Sequence, residues 1–162
     1  MSDAGVPAGS WPVGKDVVNA LIGARRVERV PADRRQAAAE LRMAEEHLEA
    51  AEEQLQARPR VAFLSAYDAS RLAIQAVLTN QGLRVRAGDG GHAVLGEIAV
   101  AQLGKTPFGR FDAVRRLRND SAYPEPDREV ADATDARQAV TFARAVLDSA
   151  YIAVERMHVF VG

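Results

Sequence analysis

Val61-Ala62-Phe63-Leu64-Ser65-Ala66-Tyr67-Asp68-Ala69-Ser70-Arg71-Leu72-Ala73-Ile74-Gln75-Ala76-Val77 is the stretch that decides the fold. Ala62, Ala66, Ala69, Ala73 and Ala76 recur at spacings of four and three, which lines them up along one side of a helix. Their small side chains let a second helix approach closely. Phe63, Tyr67, Ile74 and Val77 flank that stripe. Asp68, Arg71 and Gln75 fall at i, i+3 and i+7, so they form a single polar line on an otherwise apolar helix. The pattern predicts a central helix over residues 60–80, with Gly82 as its C-terminal stop.

Working outward, the segment before it predicts a longer and more polar helix over residues 33–57. Asp33 suits the N-cap. Ala37, Leu41, Ala44, Leu48, Ala51 and Leu55 make one narrow apolar seam. Glu40, Glu45, Glu46, Glu49, Glu52 and Glu53 are assigned to the remaining, solvated faces. An earlier helix is predicted over residues 15–30, ended by Pro31. Beyond the central helix, residues 83–91 read as a loop with two basic residues and three glycines. Further helices are predicted over residues 92–103, from Phe108 to Ala122, and over residues 132–160. Pro124 disfavours helix at Tyr123. In the last helix Ala139, Ala143, Val146, Ala150, Ala153 and Met157 repeat at four and three. The expected fold is all-α: an up-and-down bundle of five to six helices. Wide apolar stripes on several helices leave room for a homodimer contact.

Composition bounds the function. The chain has 162 residues, 21 Lys+Arg against 22 Asp+Glu, and no cysteine. That length suits one domain with a real core. The absence of cysteine excludes disulfides, cysteine-ligated zinc, iron–sulfur clusters and a thiol nucleophile. A net charge of −1 argues against general coating of nucleic acid but leaves a local basic patch open. No apolar run is read as approaching the roughly 20 residues of a membrane span, so no membrane association is expected. Residues 1–14 hold three glycines, two prolines, two serines and Trp11, with no basic start and no apolar stretch. They predict a flexible arm ahead of a single domain over residues 15–162, and a cytoplasmic protein. Trp11 is read as tacking the arm onto the body.

Few motifs carry chemistry. Gly104-Lys105-Thr106 resembles the end of a phosphate-binding loop, but the glycine required five residues earlier is Ala99, and no strand precedes it. It reads as a turn. Gly88, Gly90, Gly91 and His92 sit at a helix start, where backbone amides hold anions or glycines simply make a turn; the turn is the plainer reading. His47, His92 and His158 fall on three helices without ligand spacing, so no metal and no cofactor is implied.

The richest constellation is Arg115-Arg116-Leu117-Arg118-Asn119-Asp120-Ser121-Ala122-Tyr123-Pro124. Arg115, Arg118 and Asn119 share one helix face. Such a face can grip a phosphate and hydrogen-bond a base or a ribose hydroxyl. The competing reading is charge balance, through Asp112–Arg116 and Arg116–Asp120 at i, i+4 and through cations at a helix C-terminus.

Together these features resemble the HEPN domain, the higher-eukaryote and prokaryote nucleotide-binding helical family. The resemblance rests on Arg118-Asn119, then three residues and the aromatic Tyr123. It rests also on Ala66-Tyr67-Asp68-Ala69-Ser70-Arg71 in the central helix, on Gln81-Gly82-Leu83-Arg84 leading to the Gly-Gly-His turn, and on the long final helix. It spans about residues 33–159. It implies a helical bundle that often dimerises, bringing two motifs together across a composite cleft. Many members are metal-independent ribonucleases, and several are toxins of toxin–antitoxin or phage-defence systems, often beside a small nucleotidyltransferase. Arg118 matches the motif arginine and Asn119 its polar partner. Asp68 and Arg71 are similar to polar residues that line the cleft; Arg115 and His92 are further substrate-binding candidates.

Where the family motif has histidine, this chain has Tyr123. Cleavage through the 2′-hydroxyl needs a base near neutrality. Histidine suits that task, whereas tyrosine, with an ordinary pKa of about 10, does not. Two readings therefore stand. One is a non-catalytic module for RNA, a nucleotide or a partner protein, and the missing histidine favours it. The other is a ribonuclease using Arg118 with Tyr123 or His92 for proton transfer.

Overall fold

The structure, a computed structural model, describes residues 11–88 and 90–162. Three long helices form the centre: α2 (Arg34–Gln54), α3 (Pro59–Gln81) and α6 (Ala133–Arg156). Around them lie α1 (Lys15–Gly23), α4 (Gly91–Leu103) and α5 (Phe111–Ala122). The expected all-α bundle is what the chain forms.

The centre follows from the alanine stripes. Ala62, Ala66, Ala69, Ala73 and Ala76 of α3 are all fully buried. The α2 seam from Ala37 to Ala51 and the α6 seam from Ala139 to Ala153 are buried as well. Small side chains at all three contacts let the helix axes come close, and interiors favour such dense packing. Asp33 caps α2 by accepting from the Gln36 amide at 2.9 Å. Asp132 and Asp135 form a reciprocal capping box at the start of α6. Trp11 donates from Nε1 to the Gln102 carbonyl at 2.9 Å, tying its segment to α4. The rest of the expected arm, residues 1–10, lies outside the described residues.

Four expectations need correction. The helix expected over residues 15–30 stops at Gly23; Arg25 takes a positive φ of 58° and the chain turns into a strand. That strand, β1 (Val27–Arg29), pairs antiparallel with β2 (Leu83–Val85), inside the segment expected as a loop. Three-residue strands are too short to show alternation in sequence. The last helix ends at Arg156 rather than near Phe160, because Met157 adopts an extended conformation. The fourth concerns apolar length. α3 has 23 residues and is long and apolar enough to cross a membrane by those criteria, but two-thirds of the qualifying window (67%) is buried inside the bundle.

Gly82 is required where α3 meets the small sheet. Its φ is +75°, and a Cβ there would lie 2.6 Å from the Val30 carbonyl oxygen. Only glycine ends α3 and lets β1's exit pass this closely. The sheet then carries Arg84 and Arg86 to the edge of the site.

Candidate functional site

The predicted site residues come from three helices. Arg115, Arg118 and Asn119 lie along α5, and Tyr123 follows its last turn. Arg71 comes from the middle of α3, and His92 from the first turn of α4. All six line one groove of about 1050 Å³. α5 is held there by two contacts at its end. Arg60 donates to the Ser121 carbonyl at 3.0 Å, and Ser121 Oγ accepts from the Ala131 amide at 2.8 Å.

The groove is cationic although the chain is not. Among the described residues its lining holds five arginines (71, 84, 86, 115 and 118) against two carboxylates, Asp33 and Glu40. Some of that charge is internally paired. Arg115 meets Asp112 at 2.7 Å, and Asp112 also meets Arg116 at 2.9 Å. These cations hold the Asp112 carboxyl below its usual range, led by the Arg115 hydrogen bond. The expected Arg116–Asp120 pair does not form. Asp120 meets Arg128 at 3.3 Å instead, so charge balance accounts for Arg116 and leaves Arg118 facing the groove.

Arg118 lies over the ring of Tyr67, 5.6 Å from its centroid, and Nη1 donates to Asn119 Oδ1 at 3.4 Å. The aromatic face orients the guanidinium without neutralising it. Asp68 does not line the groove. It sits behind Arg71, at 3.6 Å from its Nε, and so orients that arginine. Tyr123 is 71% exposed at the groove mouth.

His92 is the imidazole of the site. Its Nδ1 is 2.7 Å from the hydroxyl of Tyr67, which is fully buried. Burial pushes the Tyr67 phenol up to about 12, against the pull of Arg118, Arg71 and Arg115. The phenol therefore keeps its proton at neutral pH. A buried hydroxyl left without an acceptor is costly, so Tyr67 donates and Nδ1 accepts. That assigns the ring hydrogen to Nε2. Burial, and then repulsion from Arg71 and Arg118, lowers the pKa of His92 below its ordinary value. The ring is neutral near pH 7 and offers an N–H donor rather than a free base. His158 is exposed and His47 half-buried on α2. Among the described residues no three His, Asp or Glu side chains gather as metal ligands would.

A model of the HEPN domain matches residues 37–153, more than half of the chain. The chain belongs to the HEPN domain family. No significant match was found among curated proteins or among solved structures. The HEPN match runs from within α2 to within α6 and contains every predicted site residue.

Sequence reasoning missed Tyr67 and Glu40. Tyr67 lies four residues before Arg71, on the same face, so helical spacing was a usable signal. Glu40 was assigned to a solvated face, yet it is only 4% exposed. It falls three residues after Ala37 and four before Ala44, which places it beside the dry seam. Arg84 and Arg86 were invisible as site residues because only the β1–β2 pairing brings them to the groove.

Proposed function

We propose that this HEPN protein binds RNA or a nucleotide by its phosphate, without cleaving it, in the groove around Arg118 and Asn119. The observation that supports the reading is the convergence of Arg115 and Arg118 from α5, Arg71 from α3 and His92 from α4 on one groove. Guanidinium groups match phosphate oxygens in geometry and charge. The neutral His92 Nε2–H adds a further donor. Asn119, exposed beside Arg118, offers both a donor and an acceptor to a base or a sugar.

The chemistry favours binding over turnover. The lone pair of His92 is engaged by Tyr67 at 2.7 Å. To act as a base towards a 2′-hydroxyl, Nε2 would have to lose its hydrogen to Nδ1, and the buried Tyr67 proton would lose its acceptor. One observation favours the second reading, a metal-independent ribonuclease: an imidazole does line the groove, although the motif position holds Tyr123. We place the protein as a cytoplasmic homodimer in which two grooves face one another. We further place it in a toxin–antitoxin or phage-defence setting with a partner protein such as a nucleotidyltransferase.

The test is binding and cleavage of a mixed-structure RNA in EDTA, with Arg118→Ala and His92→Ala prepared identically and each sedimented to report the dimer. Wild type is expected to bind without cleaving. Arg118→Ala is expected to bind about tenfold more weakly, as the loss of one charge-assisted contact implies. Cleavage by wild type that both substitutions abolish would establish the ribonuclease instead. No binding by wild type would overturn the phosphate-groove reading.

A further inference from the structure

Glu40 is a buried carboxylate on the floor of the cationic groove, and the phosphate reading gives it no role. It is 4% exposed. No arginine or lysine lies within ion-pair distance of it among the described residues; its neighbours are amides. Gln75 Nε2 donates to Glu40 Oε1 at 2.9 Å, and Gln36 Nε2 donates to the same oxygen at 3.3 Å. Oε2 is buried and accepts no hydrogen bond. A buried carboxylate oxygen without a donor is costly, and natural proteins keep few of them. Glu40, Gln36 and Gln75 all line the same groove as Arg118.

Arg71 and Glu40 are linked through the groove lining. Arg71 Nη1 donates to Gln75 Oε1 at 3.3 Å, and Gln75 passes on to Glu40. One amide side chain and two hydrogen bonds therefore separate the guanidinium of Arg71 from the carboxylate of Glu40. A single nucleotide spans such a distance from phosphate to base edge. Leu78 and Leu83 supply apolar wall along the groove, against which a base ring can lie.

Resting on the phosphate-groove reading, we propose that Glu40 reads the base of the bound nucleotide and selects guanine. A carboxylate accepts and never donates, so it favours a base edge built of N–H groups. Guanine presents two adjacent ones, N1–H and the 2-amino group. Uracil presents one N–H between two carbonyls, and those oxygens meet the carboxylate unfavourably. The arriving donors take Oε2 and replace Gln36 on Oε1. Gln36 is the partner that yields, since its bond is the longer one and its side chain is exposed.

The experiment measures the affinity of the full chain for guanosine, inosine and uridine 5′-monophosphates by calorimetry, in wild type, Glu40→Gln and Arg118→Ala. Wild type is expected to prefer the guanine nucleotide over the uracil one about tenfold, as a two-bond base contact implies. Glu40→Gln puts an amide donor where Oε2 stands and removes the preference, weakening the guanine nucleotide and relieving the repulsion that the uracil carbonyls meet. Arg118→Ala weakens all three nucleotides alike. Equal binding of guanine and uracil nucleotides by wild type overturns the proposal and leaves the phosphate groove standing. A preference that survives in Glu40→Gln overturns it as well. No binding of any nucleotide by wild type overturns both. If Glu40→Gln fails to fold, inosine monophosphate on the unaltered protein carries the test. It lacks the 2-amino group, so weaker binding than the guanine nucleotide supports the proposal and equal binding overturns it.

Discussion

His92 and Tyr67 show how one hydrogen bond sets the chemistry available at the groove. Tyr67 keeps its proton because it is buried, and His92 stays neutral because it is partly buried beside Arg71 and Arg118. A histidine whose folded pKa lies below its unfolded value binds fewer protons when folded. Its contribution to stability is then complete above about pH 6.5 and is lost as pH falls below that value. We expect an NMR titration to give His92 a midpoint below 6.5, and Arg71→Ala to raise it. That substitution removes a repulsive cation and frees Asp68, so both changes push the same way. A wild-type midpoint at or above 6.5 would refute the neutral-imidazole assignment. Arg118, Asn119 and Tyr123 were legible as a unit because they share one helix end. The contact of His92 with Tyr67 was not, because 25 residues separate the two and only packing brings them together.

At the scale of elements, the position of His92 depends on how closely α4 meets α5. Gly96 of α4 faces Phe111, and a Cβ at Gly96 would lie 2.7 Å from Phe111 Cδ1. Phe111 is fully buried and stacks on Tyr67 with ring centroids 5.6 Å apart, so it has nowhere to yield. Gly96→Ala gains about 1 kcal/mol of helix propensity. Overpacking a full core commonly costs about 1–3 kcal/mol, and we expect the steric cost to dominate. Urea unfolding should show a net loss of stability, and the His92 resonances should shift. A stabilised variant would mean that α4 can retreat without cost. The helices themselves were readable from alanine spacing. The β1–β2 ladder was not, since six residues of pairing leave no periodic trace.

For the whole molecule, charge distribution matters more than net charge. The chain carries −1 overall, yet among the described residues its groove gathers five arginines against two carboxylates. Binding that uses phosphate contacts releases counterions and weakens with salt in proportion to their number. If Arg71, Arg115 and Arg118 each neutralise one phosphate, the logarithm of affinity for single-stranded RNA should fall against that of salt with a slope of about −2. Arg118→Ala should flatten it by roughly one third. A salt-independent affinity would mean that the groove holds its ligand by something other than phosphate.

Local composition was enough for the helices, their buried stripes and the Arg118–Asn119 face. Those properties depend on residues three and four apart, and such residues touch in any helix of the same sequence. Helical spacing did not show how the separate faces meet. Three-dimensional packing turned Glu40 from a presumed surface charge into a buried acceptor, set His92 on Tyr67, and moved Asp120 from Arg116 to Arg128. It also brought Arg84 and Arg86 to the groove through the small sheet. Each of those outcomes rests on contacts beyond the three- and four-residue reach of one helix, and burial and partner choice belong to such contacts rather than to any single helix.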